Sequence, residues 1–212
     1  MYETEKNELV EILAKRDISN PRVLDAFRKV ERHLFVPDIM KQHAYTDVAL
    51  PIGYGQTISQ PYTVAFMTEA LDPKPGQKIL EVGTGSGYQA AILNQMGVRV
   101  FTIERSLELY NRALKIFDQL GLKIACRCSD GTLGWDEFAP FDGIIVTAGG
   151  PTIPQNLIKQ LAINGRMVIP VGDRNKQTMK IITKISDGEY TSKEAPYFAF
   201  VPLIGKEGWK EK

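Results

Sequence analysis

The sequence predicts an α/β fold: a mostly parallel twisted sheet with helices on both faces and an antiparallel edge, preceded by N-terminal helices. Three observations predict it. Between residues 78 and 171 the apolar runs KILEV, RVFTIE, KIACRC, DGIIVTA and RMVIPV alternate with segments of helical period, GYQAAILNQM, SLELYNRALKIFDQL and PQNLIKQLA. Near-continuous apolar strands separated by helices are what a parallel sheet covered on both faces requires, and the crossovers between them are expected to be right-handed. The last two apolar segments, MKIITKI and PYFAFVPLI, have no helical pattern between them and are expected to pair as antiparallel strands at one edge.

The N-terminal part reads as helical. Leu9, Ile12 and Leu13, then Val23, Leu24, Phe27 and Val30, fall at helical spacing, with Asn20 as a cap before Pro21. A third helix over Val64 to Leu71 is stopped by the DPKPG that follows. With 212 residues the chain is expected to form a single domain, residues 1–71 supplying helices and a loop and residues 72–212 the sheet. Its 26 basic and 25 acidic residues leave a net charge of +1, which carries no electrostatic footprint for nucleic acid. The charged start MYETEKNELVEILAKR has no apolar signal core and points to a soluble cytoplasmic chain without a membrane span. Cys126 and Cys128 share one strand face, and with only His33 and His43 elsewhere they read as small apolar residues rather than metal ligands.

One stretch breaks the ordinary pattern. From Val48 to Thr68 the chain reads VALPIGYGQTISQPYTVAFMT, 21 residues without a charge, although charged residues make up 24% of the whole. Its glycines, prolines and hydroxyls make it too broken for a buried element, and it reads as an uncharged, hydroxyl-rich loop. Ser59 can be a helix N-cap ahead of Pro61 or a functional hydroxyl.

Ligands of such sheets bind beyond the carboxyl ends of the strands, at the switch point. The first strand ends in LEVGTGSGYQ, with Gly83, Gly85 and Gly87 after Glu81. That is E-x-G-x-G-x-G, and Tyr88 stands where the dinucleotide fingerprint needs its third glycine. The next strand ends on Glu104, about 20 residues further on, where a carboxylate can accept from ribose hydroxyls; the alternative is a cap for the following helix. The third ends in Ser129-Asp130-Gly131, where Asp130 can read an adenine amino group and Gly131 leaves room for the ring. No Lys or Arg lies in the glycine turn, so the three strand ends suit an adenosine better than a pyrophosphate.

LEVGTGSGYQAA resembles the first motif of class I S-adenosylmethionine-dependent methyltransferases, whose fold is Rossmann-like. FDGIIVTAGGPTIPQNLIKQLAINGRMVIPVG and LPIGYGQTISQPYTVAFM resemble segments of one family within that class, the protein-L-isoaspartate (D-aspartate) O-methyltransferases. The resemblance runs from about Val36 to Gly172 and more loosely to Leu203. It implies a repair enzyme for age-damaged proteins and peptides, moving the methyl group of S-adenosylmethionine to the free α-carboxylate of L-isoaspartyl residues, or the β-carboxylate of D-aspartyl residues, and leaving S-adenosylhomocysteine. It also implies roles: Ser59 as the active-site hydroxyl; Thr57, Ile58 and Gln60 on the same loop; Glu81, Gly83 and Gly85 at the cofactor turn; Glu104 at the ribose; Asp130 and Gly131 at the adenine; Val201 as a peptide contact. The chain departs from the family pattern at Ser129, where Gly is common, and at Ala148-Gly149-Gly150-Pro151. It is expected to act as a monomer, without metal.

Two other classes bear on the same residues. A methyltransferase for small molecules or RNA would keep the glycine turn, yet amino-group methylation usually brings an Asn-Pro-Pro-Tyr type motif where this chain has TAGGP. A dinucleotide oxidoreductase would need G-x-G-x-x-G. A non-catalytic binding module is the third alternative.

Overall fold

The computed structural model describes residues 2–211, apart from the side chains of Pro196 and Tyr197; Met1 and Lys212, the ends of the expected domain, lie outside the described residues. Helices α1 (Glu3–Lys15) and α2 (Pro21–Lys29) open the chain, and the Asn20 side chain accepts from the Arg22 amide as the expected cap of α2. Two short 3₁₀ turns lead into strands β1 (Leu50–Gly53) and β2 (Gln56–Ile58), and helix α3 spans Pro61–Leu71. Then come β3 (Lys78–Val82), α4 (Tyr88–Gln95), β4 (Arg99–Glu104), α5 (Leu107–Gln119), β5 (Ile124–Cys128), β6 (Phe141–Val146), α6 (Gln155–Gln160) and β7 (Leu161–Gly172). Strands β8 (Gln177–Ser186) and β9 (Glu189–Phe198) complete a seven-stranded sheet of order β5-β4-β3-β6-β7-β8-β9. The first five strands in that order are parallel, and β7, β8 and β9 pair antiparallel.

Side-chain alternation along the strands builds a core on each face. Ile79, Val100, Ile145 and Val168 pack under α3, α4 and α5, while Leu80, Val82, Ile103 and Ile144 meet α6 and the loop around Trp135 on the other side. The N-terminal helices form a further apolar cluster with Tyr88, Ala91 and Ile92 of α4. Among the described residues no helix is long and apolar enough to cross a membrane.

Three expectations need correction. The uncharged stretch is no plain loop: it forms the antiparallel hairpin β1–β2, burying Leu50, Ile52 and Ile58. Its turn residues Tyr54 and Gly55 both take positive φ, 53° and 68°, the backbone that a tight two-residue hairpin needs. Helix α6 is shorter than PQNLIKQLA, because Leu161 already pairs with Phe141 as the start of β7. The last edge strand is EYTSKEAPYF, turned back at Asp187-Gly188, so it shares only residues 196–198 with the expected PYFAFVPLI. A charged edge strand looks like a loop in sequence, since a free edge is kept soluble by polar side chains. Residues 199–204 instead cross the carboxyl ends of the sheet, where Gly149 donates to the Val201 carbonyl and Leu203 donates to the Gly149 carbonyl, both at 2.8 Å.

A buried arginine ties the N-terminal block to the hairpin. Arg32 is fully buried; its Nε donates to the Ala44 carbonyl at 2.8 Å, its Nη2 to the Val48 carbonyl at 3.2 Å, and its guanidinium lies 5.1 Å from the Tyr88 ring centre. Burial lowers its pKa to about 10, still charged at neutral pH. Arg32→Ala leaves those carbonyls without donors and opens a cavity, so it is expected to lower stability by about 2–4 kcal/mol, read as a lower urea midpoint at an unchanged slope.

Candidate active site

The parallel strands reverse their order between β3 and β6, and there a cavity of about 400 Å³ opens over their carboxyl ends. That volume lies in the range of small-molecule sites. The turn from β3 into α4 forms its floor. Gly83 has φ +99°, and a side chain at that position would stand 2.4 Å from Thr147 Oγ1. The Thr147 hydroxyl uses the space, donating to the Gly83 carbonyl at 2.6 Å and so fastening the end of β6 to the turn. Gly87, at φ +89°, would place a side chain 2.6 Å from the Phe117 ring of α5.

Two carboxyls meet the cavity. Glu104 accepts the Gly85 amide on Oε2 and the Ser106 amide on Oε1, both at 2.8 Å. It faces the cavity and also holds Ser106, the residue that caps α5. Glu81 is fully buried; its Oε2 accepts from Thr102 Oγ1 at 2.5 Å, that hydroxyl lies 2.6 Å from Thr84 Oγ1, and its Oε1 has no partner. Burial pushes the Glu81 carboxyl up to about 8, against the pull of the Thr102 hydroxyl, with the nearby Glu104 charge adding to the rise.

A second cavity of about 570 Å³ adjoins the first. The two share Thr57, Ser59, Thr147 and Val201 as common wall. Arg16, Asp47, Tyr62, Phe198 and Phe200 line the outer one. Asp47 clamps the base of the hairpin: its Oδ1 accepts the Tyr62 amide at 2.8 Å, and its Oδ2 accepts Gln60 Nε2 at 3.0 Å and Arg16 Nη1 at 2.5 Å. Arg16 in turn stacks on the Tyr62 ring, 3.8 Å from its centre. Arg112 of α5 holds the hairpin from the other side through the Ile52 carbonyl, at 2.9 Å.

Of the residues singled out in the sequence, Thr57, Ile58, Ser59, Glu81, Gly83, Gly85, Glu104, Gly131 and Val201 line the inner cavity. Gln60 lies in the outer one. Asp130 lines neither: its Oδ1 accepts from the Thr132 amide and hydroxyl at 2.9 and 2.7 Å, and its Oδ2 accepts the Lys206 amide at 2.7 Å. It anchors the C-terminal segment, and only Gly131 faces the cavity. Ser59 is no helix cap, since Gln60 holds the N-cap position of α3 and the distant Asp47 satisfies the Tyr62 amide. His33 is engaged with Tyr45 Oη at 2.8 Å, and neither histidine lines either of these two cavities.

Comparison with known proteins fits this arrangement. A sequence profile described as protein-L-isoaspartate(D-aspartate) O-methyltransferase matches residues 4–208. The chain belongs to the protein-L-isoaspartate(D-aspartate) O-methyltransferase family. It is 52% identical to a protein-L-isoaspartate O-methyltransferase of Chlorobium phaeovibrioides, over 100% of this chain and 95% of that one. A solved protein-L-isoaspartate O-methyltransferase superposes with a TM-score of 0.88 at 27% identity, over 96% of this chain and 67% of the other. A Plasmodium falciparum structure assigned to the same activity, in complex with S-adenosyl-L-homocysteine, superposes with a TM-score of 0.80 at 26% identity, over 93% of this chain and 97% of that one.

Within this member of the isoaspartate methyltransferase family, sequence reasoning missed Asp47, Thr147, Gln89 and the Pro202–Leu203 pair. Asp47 had a signal, being the last charge before the uncharged run. Thr147 and Pro202 had none, because their place depends on where two distant segments cross. Gln89, 6% exposed, donates to Thr68 Oγ1 at 3.0 Å beside the cavity.

The raised Glu81 carboxyl gives a pH dependence with a defined sign. A folded-state pKa above the ordinary 4.5 favours the folded protein while the group is protonated, and that contribution fades as pH rises from the ordinary carboxyl range towards about 8. Glu81→Gln removes the titration and keeps an acceptor for Thr102. Its melting temperature relative to the parent is expected to climb between about pH 5 and 8, and a constant difference across that range contradicts the assignment.

Proposed function

We propose that this chain is a repair methyltransferase that moves the methyl group of S-adenosylmethionine to the free α-carboxylate of L-isoaspartyl residues in damaged proteins and peptides. One observation carries the reading most directly. Thr57 and Ser59 lie on the wall common to the inner cavity, which has the glycine turn as its floor, and an outer groove of about 570 Å³. The inner cavity suits the cofactor: Glu104 is held at its edge by two backbone amides, Gly131 leaves no side chain in the way, and Glu81 offers an oxygen without a partner among the described residues. When bound, the cofactor supplies an electrophilic methyl on a sulfonium.

The chain's own residues have a modest task. A substrate carboxylate with a reference pKa of roughly 3.5 to 4 is already ionised at neutral pH, so no general base is needed. This agrees with the absence of histidine from the walls. Catalysis then rests on alignment and partial desolvation. A protein carboxylate beside the nucleophile would repel it, and an ammonium or guanidinium would hold it too firmly. Ser59 is half-buried and its hydroxyl makes no hydrogen bond to any described residue, which leaves it available to orient a carboxylate. Asp47 and Arg16 neutralise one another at the groove edge, so the clamp that fixes Ser59 adds little field at the reacting centre.

Transfer of a labelled methyl group to matched peptides tests the reading. The isoaspartyl peptide is expected to be methylated at least about a hundredfold faster than its aspartyl counterpart, since a displacement of about 1 Å in the reacting carboxylate has that effect; equal rates overturn it. Ser59→Ala is expected to lower turnover with cofactor affinity nearly intact, and Ser59→Asp to be slower still, because a second carboxylate in a poorly screened site repels the nucleophile. An Asp variant as active as the parent leaves orientation to the backbone amides. Glu104→Ala removes both a cofactor acceptor and the hold on Gly85, and is expected to weaken S-adenosylmethionine binding by about 1–3 kcal/mol, measured by titration calorimetry.

A further inference from the structure

Glu81 is the one buried acid of the site that the methyl transfer above does not use. Its side chain is 0% exposed and lines the inner cavity. One oxygen has a single hydroxyl partner, Thr102, and the other has none. An acid so placed is ordinarily balanced by a buried Lys or Arg, because an unpaired charge away from water is strongly unfavourable. Here the neighbours point the other way. Titratable groups that face it are Glu104 at the end of β4, whose charge opposes a second negative one, and Cys126 on β5, whose thiol is pushed up to about 12 by burial and so stays neutral. On β6 its register partner is Ile145, and of the helices above the cavity α3 contributes Val64 and α4 contributes Gln89 and Tyr88, whose hydroxyl burial keeps protonated. At the rim, Arg105 is paired with Glu211 at 2.9 Å, and Glu108 accepts from the Ser106 hydroxyl. Among the described residues no cation is bonded to Glu81.

Among the described residues, therefore, none supplies a counter-charge for this carboxyl. We propose that Glu81 is a proton-coupled counter-ion for the cofactor: protonated in the free protein, it releases its proton to solvent when the cationic methionine end of S-adenosylmethionine enters the cavity. The inference rests on the cofactor reading given above and adds to it. Charge balances within the step, since the O–H bond of the carboxyl breaks, the proton goes to buffer, and the carboxylate formed faces the incoming cation. Burial that holds the carboxyl up to about 8 keeps Glu81 mostly protonated in the free protein at neutral pH. The Thr84–Thr102 hydroxyl pair can then stabilise the carboxylate through the hydrogen bond that already reaches Oε2. The consequence is a cavity that carries no bare anion while waiting for cofactor, and an affinity for cationic ligands that rises with pH.

Titration calorimetry of the full-length chain tests this at pH 7 in two buffers of different ionisation enthalpy, with S-adenosylmethionine and with adenosine, which lacks the cationic end. For the parent protein, S-adenosylmethionine is expected to release close to one proton per site and adenosine none. The affinity for S-adenosylmethionine is expected to rise by up to about tenfold per pH unit between pH 6 and 7.5. Glu81→Gln, which keeps the Thr102 contact, is expected to bind without proton release and with a flat profile. Binding of S-adenosylmethionine by the parent without proton exchange, or undiminished release by the Gln variant, overturns the proposal and leaves the methyltransferase reading untouched. Failure of the parent to bind S-adenosylmethionine at all overturns that reading instead. Should Glu81→Gln not fold, the contrast between the two ligands on the parent protein decides alone.

Discussion

The carboxylate of Glu104 joins three parts of the chain that are remote in sequence. By accepting the amides of Gly85 and Ser106 it fixes the glycine turn to the end of the neighbouring strand and sets the start of α5. Ser106 then caps α5 with its own hydroxyl. Without that carboxylate the turn would leave an amide unpaired at a site where solvent access is poor, and such a group is costly. The cavity floor depends on this junction more than on any apolar contact, because the glycines themselves contribute almost no packing.

Charge is managed by distance throughout the site. The hairpin that carries Thr57 and Ser59 contains no ionisable acid or base, yet it is held in place by charges just outside it: Asp47 and Arg16 at its base, and Arg112 at Ile52. Both cations are engaged with oxygen partners that belong to the protein. A nucleophilic carboxylate arriving through the outer groove would pass the paired Arg16 and Asp47 and then meet the hydroxyls of Thr57 and Ser59 at the shared wall. Below the turn the same economy operates in reverse, with Glu81 kept neutral by burial. Strong fields are kept away from the reacting centre, and the geometry of neutral groups does the aligning.

Much of the site was legible before the fold was known, for identifiable reasons. Gly83, Gly85 and Glu104 follow from position alone, since a parallel sheet puts its strand ends together and glycine at a strand end signals a turn that other residues adopt with difficulty. The uncharged run made the stretch from Val48 to Thr68 conspicuous, and the family resemblance singled out Ser59 within it. Asp130 is less legible: an acid at a strand end has the same local pattern whether it faces a ligand or caps its own turn, and here its carboxyl accepts from Thr132 and Lys206. The β1–β2 hairpin was hidden by a Tyr-Gly turn in place of the usual Asn-Gly. The β9 strand was hidden by edge polarity, and with it the route by which residues 199–204 reach the cavity.

The sequence by itself determined the local choices: which segments form the parallel strands, where glycines turn the chain at a strand end, and which stretch excludes charge. These depend on periodicity and on backbone sterics, which act over a few residues. Tertiary structure alone decided which strand ends face one another, that Thr147 occupies the space beside Gly83, that Pro202 crosses beside Gly149, and that Glu81 lies buried without a counter-ion. Those outcomes depend on contacts between residues far apart in the chain, and on a dielectric environment that exists only when many segments have excluded water together. A carboxyl has its ordinary acidity in any isolated peptide; only the assembled fold shifts it.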